Sequence, residues 1–204
     1  MDVTFFTAWI EEIIRTLALC RDRLTRLDAA IGDADHGTNL DRGFTAVRQA
    51  LSDTPPQTPG QALTLVGNTL IRRVGGASGP LYGSAFRQLG RSLGDAREVS
   101  LADLATALES AVETVRRLGG AAEGDKTMVD ALAPAVRELT DAVREGDKER
   151  AALERAARAA AEGARATIPL RARKGRASYL GPRSIGHEDP GAASAALIVA
   201  ALCA

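Results

Sequence analysis

The residues best suited to chemistry stand close together near position 30. Three carboxylates and an imidazole fall within nine positions, beside two glycines: Asp28, Asp33, Asp35 and His36. Carboxylate oxygens suit Mg²⁺ or Mn²⁺, and proteins usually hold Mg²⁺ with a few carboxylates together with the phosphates of a substrate. The segment therefore predicts a metal site for a phosphorylated ligand, although a capped turn between two helices would explain the same residues equally well.

Composition favours one domain spanning residues 1–204. At this length, 45% apolar residues are enough to bury a core. The 26 acidic and 26 basic residues cancel, and aromatic residues make up only 3% of the chain. The chain thus lacks the basic field and the stacking surface that nucleic-acid-binding proteins usually show, and we expect no nucleic acid among its partners.

The cysteines and the apolar runs indicate where in the cell the protein is expected. Cys20 and Cys203 lie at opposite ends of the chain without metal-ligand spacing, and the N-terminus lacks the pattern of a secretory leader. The longest apolar run, 192–204, is 13 residues, whereas a bilayer crossing needs about 20. We therefore expect a cytoplasmic protein without a membrane segment, and a buried terminal helix at this run.

Apolar residues recur at helical spacing through nearly the whole chain, and no stretch alternates in the manner of a strand. The pattern predicts eight helices, at about 3–29, 38–53, 60–74, 79–94, 100–118, 126–145, 147–167 and 190–203. Alanine-rich 151–166 lets a neighbouring helix approach closely. The sequence therefore predicts an all-α fold, built as a single-domain antiparallel bundle of eight helices.

Glycines mark a second candidate binding segment, 75–84, which contains four of them at the start of a predicted helix. Glycine lets backbone N–H groups approach an anion closely, and a helix start attracts phosphate. Such connectors are common on their own. Combined with an acidic metal loop, this one favours a phosphate site.

The segment 119–127 is similar to a P-loop, but Asp125 separates Gly124 from Lys126 and no strand precedes it. We expect Asp125 to cap the next helix instead. Gly119 would leave room for a flat base beside Met128, a residue that core packing explains equally well.

Residues 169–189 show no periodicity over about 20 positions and carry five basic side chains. A loop of this length in a compact domain is usually functional or disordered. Its basic residues either form a solvated face or neutralise phosphate oxygens. Asp189 and Pro190 are typical of the cap and first residue of the last helix.

Taken together, these motifs resemble the ADP-binding L subunit of dihydroxyacetone kinase over essentially the whole chain. The resemblance is carried by Leu27-Asp28, Gly32-Asp33-Ala34-Asp35-His36-Gly37-Thr38-Asn39, Gly75-Gly76-Ala77-Ser78-Gly79-Pro80-Leu81-Tyr82-Gly83, Gly124-Asp125-Lys126-Thr127-Met128, Gly175-Arg176-Ala177-Ser178-Tyr179-Leu180-Gly181 and Gly186-His187-Glu188-Asp189-Pro190-Gly191. It implies an eight-helix antiparallel barrel whose helix-connecting loops hold a nucleotide at one end.

The resemblance also implies a role for each matching residue. Asp28, Asp33 and Asp35 would hold two Mg²⁺ ions that bridge the phosphates of ADP or ATP. Arg176 and His36 would act on the phosphoryl group during transfer. The residues expected to contact the nucleotide are His36, Gly37, Thr38, Asn39, Ala77, Ser78, Gly119, Met128, Arg176, Asp189, Pro190 and Gly191.

One position departs from the pattern of the family. This chain has Ala34 where the family commonly has glycine. Because a side chain disfavours the left-handed backbone region, we expect residue 34 to avoid positive φ, with a small local adjustment and no loss of binding.

The resemblance implies a phosphotransferase that is active only with partner subunits. A separate K subunit would bind dihydroxyacetone covalently through its own histidine, and a phospho-histidine M subunit of the phosphotransferase system would rephosphorylate ADP in place. A homodimer is also possible. Two alternatives stay open: an ATP-exchanging kinase subunit for another small polyol or ketose, and a regulatory module that reports nucleotide loading to a transcription regulator.

Overall fold

Eight α-helices account for most of the chain in the computed structural model, which describes all 204 residues and contains no strand. The helices are α1 (Val3–Ile31), α2 (His36–Asp53), α3 (Pro59–Arg73), α4 (Ser78–Leu93), α5 (Leu101–Gly119), α6 (Val129–Glu145), α7 (Glu149–Ala166) and α8 (Pro190–Ala200). Two 3₁₀ segments add to them, Arg176–Ser184 and Ala201–Cys203. The predicted all-α class is confirmed; eight α-helices lie near the predicted positions, and the 3₁₀ segment Arg176–Ser184 was not predicted.

The helices form a closed ring. Each one packs against the next along the chain, and α8 returns to pack against α1. The buried side chains form one continuous hydrophobic cluster. Within it Trp9 of α1 packs against Phe86 of α4, and its indole N–H donates to the carbonyl of Ile198 in α8 at 3.0 Å. The closed ring is the barrel that the resemblance implied.

Glycines let α3 and α4 pack at very short range. A Cβ built on Gly67 would lie 2.5 Å from the carbonyl oxygen of Gly83, and one on Gly83 would lie 2.8 Å from that of Gly67. Gly60 and Gly90 face each other in the same way one heptad away. Any larger residue would have to push the two helices apart.

The apolar run at the C-terminus forms α8, which is buried on nearly all sides. No helix combines the length and apolarity that a membrane crossing would need. Both cysteines are free.

Most helix boundaries differ from the predicted ones by one to three residues, and two of these differences affect the site. Helix α1 continues to Ile31, so Asp28 lies in its last turn, and α6 begins at Val129 and not at 126. The predicted cap of α6 was wrong, because Asp125 accepts the N–H of Ala122 in the preceding turn, at 2.9 Å. Asp130, from inside the helix, accepts the N–H groups of Gly124 and Thr127 in that turn, and the start of α6 has no side-chain cap from Met128.

Candidate functional site

A cavity of about 280 Å³ opens at one end of the ring, where the connections α1–α2, α3–α4, α5–α6 and α7–α8 meet. Every residue that the sequence predicted for the site lines this cavity, except three. Those that line it are Asp28, Asp33, Asp35, His36, Ala77, Ser78, Gly119, Met128, Arg176, Asp189, Pro190 and Gly191. Four separate connections thus converge on one space.

The three carboxylates form a cluster that fits a hard metal ion. One oxygen from each of Asp28, Asp33 and Asp35 lies within 4.8 Å of the other two. Asp28 is buried, whereas the other two are accessible from the cavity side. A Cβ on Gly32 would lie 2.0 Å from Oδ1 of Asp28, so glycine at this position leaves the space that the carboxylate occupies. An all-oxygen donor set with open positions suits Mg²⁺.

Asp28 also holds the next helix. Its Oδ2 accepts the backbone N–H groups of Asp35 at 2.8 Å and His36 at 3.1 Å, at the start of α2. The chain must reverse sharply between Ile31 and Asp35 to make these bonds. Ala34 lies at the turn with φ 63°, so the expectation that it avoids positive φ was wrong. The two hydrogen bonds to Asp28 outweigh the steric cost, which is about 1–2 kcal/mol for a residue with a side chain.

His36 is buried and bonded at both ring nitrogens. Its Nδ1 lies 3.1 Å from the hydroxyl of Ser78, and its Nε2 lies 2.8 Å from the hydroxyl of Ser194, which is 2.6 Å from the hydroxyl of Tyr82. Burial lowers the pKa of the imidazole, so the ring is neutral at pH 7. This network fixes the ring orientation and links α2, α4 and α8 beneath the cavity.

Gly37, Thr38 and Asn39 do not line the cavity. Gly37 packs against α1, where an added Cβ would lie 2.1 Å from the carbonyl oxygen of Arg21. Thr38 is exposed, and Asn39 accepts a hydrogen bond from Arg42 at 2.7 Å. The backbone N–H groups of Gly37 and Thr38 nevertheless have no acceptor in the protein, since they belong to the first turn of α2.

Two helices that start at the cavity lack a side-chain cap from their own N-cap residue. Neither α2 nor α4 has a side-chain cap from its own N-cap residue, whereas α1, α3 and α5, which start at the opposite end, are capped by Asp2, Thr58 and Ser100. Free N–H groups and the positive end of the helix dipole attract anions. The cavity therefore combines open helix starts with a carboxylate cluster, which is the pairing that a metal-bound phosphate requires.

Arg176 reaches the carboxylate cluster from the opposite wall. It stands at the start of the 3₁₀ segment, and its Nε lies 3.0 Å from Oδ2 of Asp33. Its side chain is 71% exposed, so it can reorient when an anion binds. Lys174, one of the five basic residues of segment 169–189 but not among the residues assigned to the nucleotide, also lines the cavity.

The other half of the cavity is apolar. Ile31, Leu81, Val115, Met128 and Val129 line it. Gly119 faces this half, where an added Cβ would lie 3.6 Å from Leu81, so a side chain here would narrow the space. A flat aromatic ring could fit between these groups. Met128 is buried and also lines the cavity, so it packs in the core and borders the site.

Asp189 caps α8 as expected, with Pro190 in the first turn. Its Oδ2 accepts the N–H of Ala192 at 2.7 Å. Burial raises the pKa of this carboxyl to about 7. The carboxyl of Asp189 lines the cavity, and its pKa lies close to neutral pH.

Comparison with known proteins gives a consistent picture. The model of the DAK2 domain matches residues 30–204. The chain is 41% identical over 190 residues to the ADP-binding subunit DhaL of the PEP-dependent dihydroxyacetone kinase of Escherichia coli K12, covering 90% of each chain. It is 39% identical over 189 residues to D-erythrulose kinase of Mycolicibacterium smegmatis, covering 92% of this chain and 33% of that one.

A solved structure agrees in fold. The dihydroxyacetone kinase of C. freundii in complex with AMP-PNP and Mg²⁺ superposes with a TM-score of 0.72 and 27% identity. The match covers all of this chain and 34% of that one, so the chain spans about a third of that kinase. The closed helical ring, the convergent cavity and these similarities agree, and the chain belongs to the DAK2 domain family.

Proposed function

We propose that this chain is the nucleotide-binding subunit of a dihydroxyacetone kinase that depends on phosphoenolpyruvate, and that it holds ADP or ATP with two Mg²⁺ ions. The observation that carries this proposal is that the carboxylate cluster of Asp28, Asp33 and Asp35 lies in one cavity with the uncapped start of α4 and at the start of α2, where the N–H groups of Gly37 and Thr38 have no acceptor. The name of the E. coli relative supports the choice of nucleotide and of phosphoryl source.

In this proposal the three carboxylates hold the metal ions, which neutralise charge on the phosphates. The N–H groups of Gly37 and Thr38 donate to phosphate oxygens at the start of α2, where the helix dipole adds to their attraction. The hydroxyl of Ser78 is oriented by its contact with His36 and adds a further polar contact. The apolar half takes the adenosine, beside Gly119 and Met128.

Phosphoryl transfer needs alignment and neutralisation of charge more than covalent chemistry by the protein. Arg176 is the residue best placed to leave Asp33 and follow the transferring group, since its guanidinium is exposed and next to the metal cluster. His36 acts by orientation, because both of its ring nitrogens already face hydroxyl groups.

The acceptor is assigned to a separate K subunit that binds dihydroxyacetone, and ADP is rephosphorylated in place by a phospho-histidine M subunit in the cytoplasm. In this proposal the nucleotide and its metal ions occupy the cavity of this chain, so the acceptor binds elsewhere. A subunit of this kind turns over only when its partners are present.

The test is native mass spectrometry of freshly purified protein, with and without EDTA. We expect retained ADP with Mg²⁺ that EDTA releases, followed by a gain of one phosphate when phosphoenolpyruvate and the phospho-histidine relay are added. Protein that never carries nucleotide and does not bind added Mg–ADP would refute the proposal.

The acceptor could be a ketose other than dihydroxyacetone, since one relative is a D-erythrulose kinase. The same relay assay, run with dihydroxyacetone or D-erythrulose and the K-type partner, decides between them. Nucleotide retention with no transfer to either ketose would favour the regulatory alternative.

A further inference from the structure

Lys126 stands out because two costly features meet in one residue. Its side chain is charged yet only 1% exposed, and its backbone is left-handed with φ 64°. Removing an ammonium group from water costs free energy, and the left-handed backbone region is sterically unfavourable for a residue with a side chain. The contacts of this lysine must therefore offset both costs.

The contacts of the ammonium explain what it does. Its Nζ donates to the carbonyl oxygen of Thr167 at 2.8 Å and to that of His187, and it lies 3.5 Å from that of Ile168. These carbonyls belong to the two ends of the connection between α7 and α8. Gly186 N–H donates to the carbonyl of Ile168 at 2.8 Å and closes the same neck.

The loop between these ends, 168–187, carries Arg176 and Lys174 over the cavity. Its middle is tied to the same turn as its ends, because Arg173 N–H donates to the carbonyl of Asp125, the neighbour of Lys126, at 3.1 Å. Within the loop, the hydroxyl of Ser184 accepts the N–H of Ala172 at 2.9 Å. Movement of the neck would therefore move Arg176.

The turn that carries Lys126 is itself preset. Asp130 accepts the N–H groups of Gly124 and Thr127, on either side of the lysine, and so fixes the backbone that points the side chain under the loop. No carboxylate oxygen lies within salt-bridge distance of the ammonium. Its partners are backbone carbonyls, which hold the loop in place whatever its side chains are.

We propose that Lys126 is a positioning residue of the site, which holds both ends of the 168–187 loop together and thereby keeps Arg176 against the Asp33 wall of the cavity. The link to phosphate binding rests on the proposed function. The clamp itself does not, because it is made entirely of contacts within this chain.

Hydrogen exchange of the nucleotide-free protein tests the clamp. The matched variants are Lys126→Met and Lys148→Met, since Lys148 follows the same Gly-Asp dipeptide but is exposed at the other end of the ring. We expect the amides of Ala172, Arg173 and Gly186 to exchange at least about tenfold faster in Lys126→Met and at the wild-type rate in Lys148→Met. Wild-type protection of these amides in Lys126→Met would overturn the clamp.

A double-mutant cycle tests whether Lys126 acts through Arg176. Mg–ADP affinity is measured for Lys126→Met, Arg176→Gln and the double variant. We expect each single change to weaken binding about tenfold and the double variant to lose about tenfold as well, because the second change removes nothing that is still in place. A hundredfold loss in the double variant, or wild-type affinity in Lys126→Met, would overturn the positioning role.

If Lys126→Met does not fold, Lys126→Gln replaces it, since an amide keeps a donor for one carbonyl while the reach and the charge are lost. Faster exchange of the loop amides supports the clamp, and wild-type exchange overturns it. Wild-type protein that binds no Mg–ADP would refute the proposed function, whereas the exchange experiment would still decide the clamp.

Discussion

Asp28 and Asp33 should separate metal binding from stability. Both belong to the carboxylate cluster, but only Asp28 is buried, and only Asp28 accepts two backbone N–H groups at the start of α2. Replacing either by asparagine removes one negative charge at nearly constant shape. The two variants should therefore lose Mg–ADP binding alike and differ in their free energy of unfolding.

The size of each effect follows from the contacts. The ion pair of Asp33 with Arg176 is solvent-exposed, and such pairs contribute at most about 1 kcal/mol. Asp33→Asn should therefore change the free energy of unfolding by less than about 1 kcal/mol. Hydrogen bonds to a charged acceptor contribute about 1.5–3 kcal/mol each and neutral ones about 1. Asp28→Asn should then cost about 1–4 kcal/mol, because its two bonds become neutral or one is lost.

Loss of a residue that only supports a metal ligand already lowers metal affinity or activity about 10–100-fold. Loss of a ligand itself should cost at least about 100-fold, or about 2.7 kcal/mol. Calorimetric titration with Mg–ADP measures this loss, and urea unfolding in EDTA, followed by helical circular dichroism, measures stability without metal. Asp22→Asn, an exposed change on α1 outside the cavity, is the control.

Two results would refute this reasoning. Wild-type affinity for Mg–ADP in Asp33→Asn would remove the metal assignment. Equal losses of stability in Asp28→Asn and Asp33→Asn would show that the hydrogen bonds from Asp28 to the start of α2 do not stabilise the fold.

Three further changes should have distinct outcomes. Gly67→Ala should destabilise the protein by about 1–3 kcal/mol in urea unfolding, because the new Cβ would lie 2.5 Å from the carbonyl of Gly83 and overpacking outweighs the gain in helix propensity; an unchanged midpoint would contradict the close packing. Ala34→Gly should leave Mg–ADP affinity unchanged and raise the unfolding free energy by up to about 1 kcal/mol, since relief of the left-handed strain exceeds the entropy cost of glycine; a loss of stability would contradict the strain. Asp189 has its pKa raised by burial to about 7, so it destabilises the native state progressively as pH rises from about 4 to 7. Asp189→Asn keeps a capping oxygen and should flatten that part of the stability profile, with a gain at pH 8 of at most about 4 kcal/mol; a profile parallel to wild type would contradict the assignment.

Much of the metal cluster was predictable because it is local in sequence. Asp28, Asp33 and Asp35 fall within one helix end and one short turn, so their types and spacing alone bring them together. The hydroxyl network around His36 was not predictable in this way. Ser194 and Tyr82 come from helices distant in sequence, and only the closure of the ring makes them neighbours.

The errors came from local rules that other contacts overrode. Asp125 precedes a helix, and aspartate commonly caps helices. Asp130 nevertheless reaches the same turn from within α6 and accepts the N–H groups of Gly124 and Thr127. Ala34 adopts positive φ because the hydrogen bonds to Asp28 require it. In both cases a carboxylate elsewhere, and not the residue type at the position, decided the backbone.

The fold by itself does not choose which end of the ring becomes the site. In an antiparallel ring of eight helices each end has four helix starts and four helix ends, so the helix dipoles are balanced between the two. The connections break this symmetry. At the opposite end they are 54–58, 94–100 and 146–148, and three of the four helix starts there are capped by side chains. At the cavity end three of the four starts, those of α2, α4 and α6, lack a side-chain cap from their own N-cap residue, one turn carries the carboxylates, and the longest connection brings Arg176. Function on this scaffold therefore depends on the chemistry of the connections and of the helix turns next to them, and not on the helix dipoles alone.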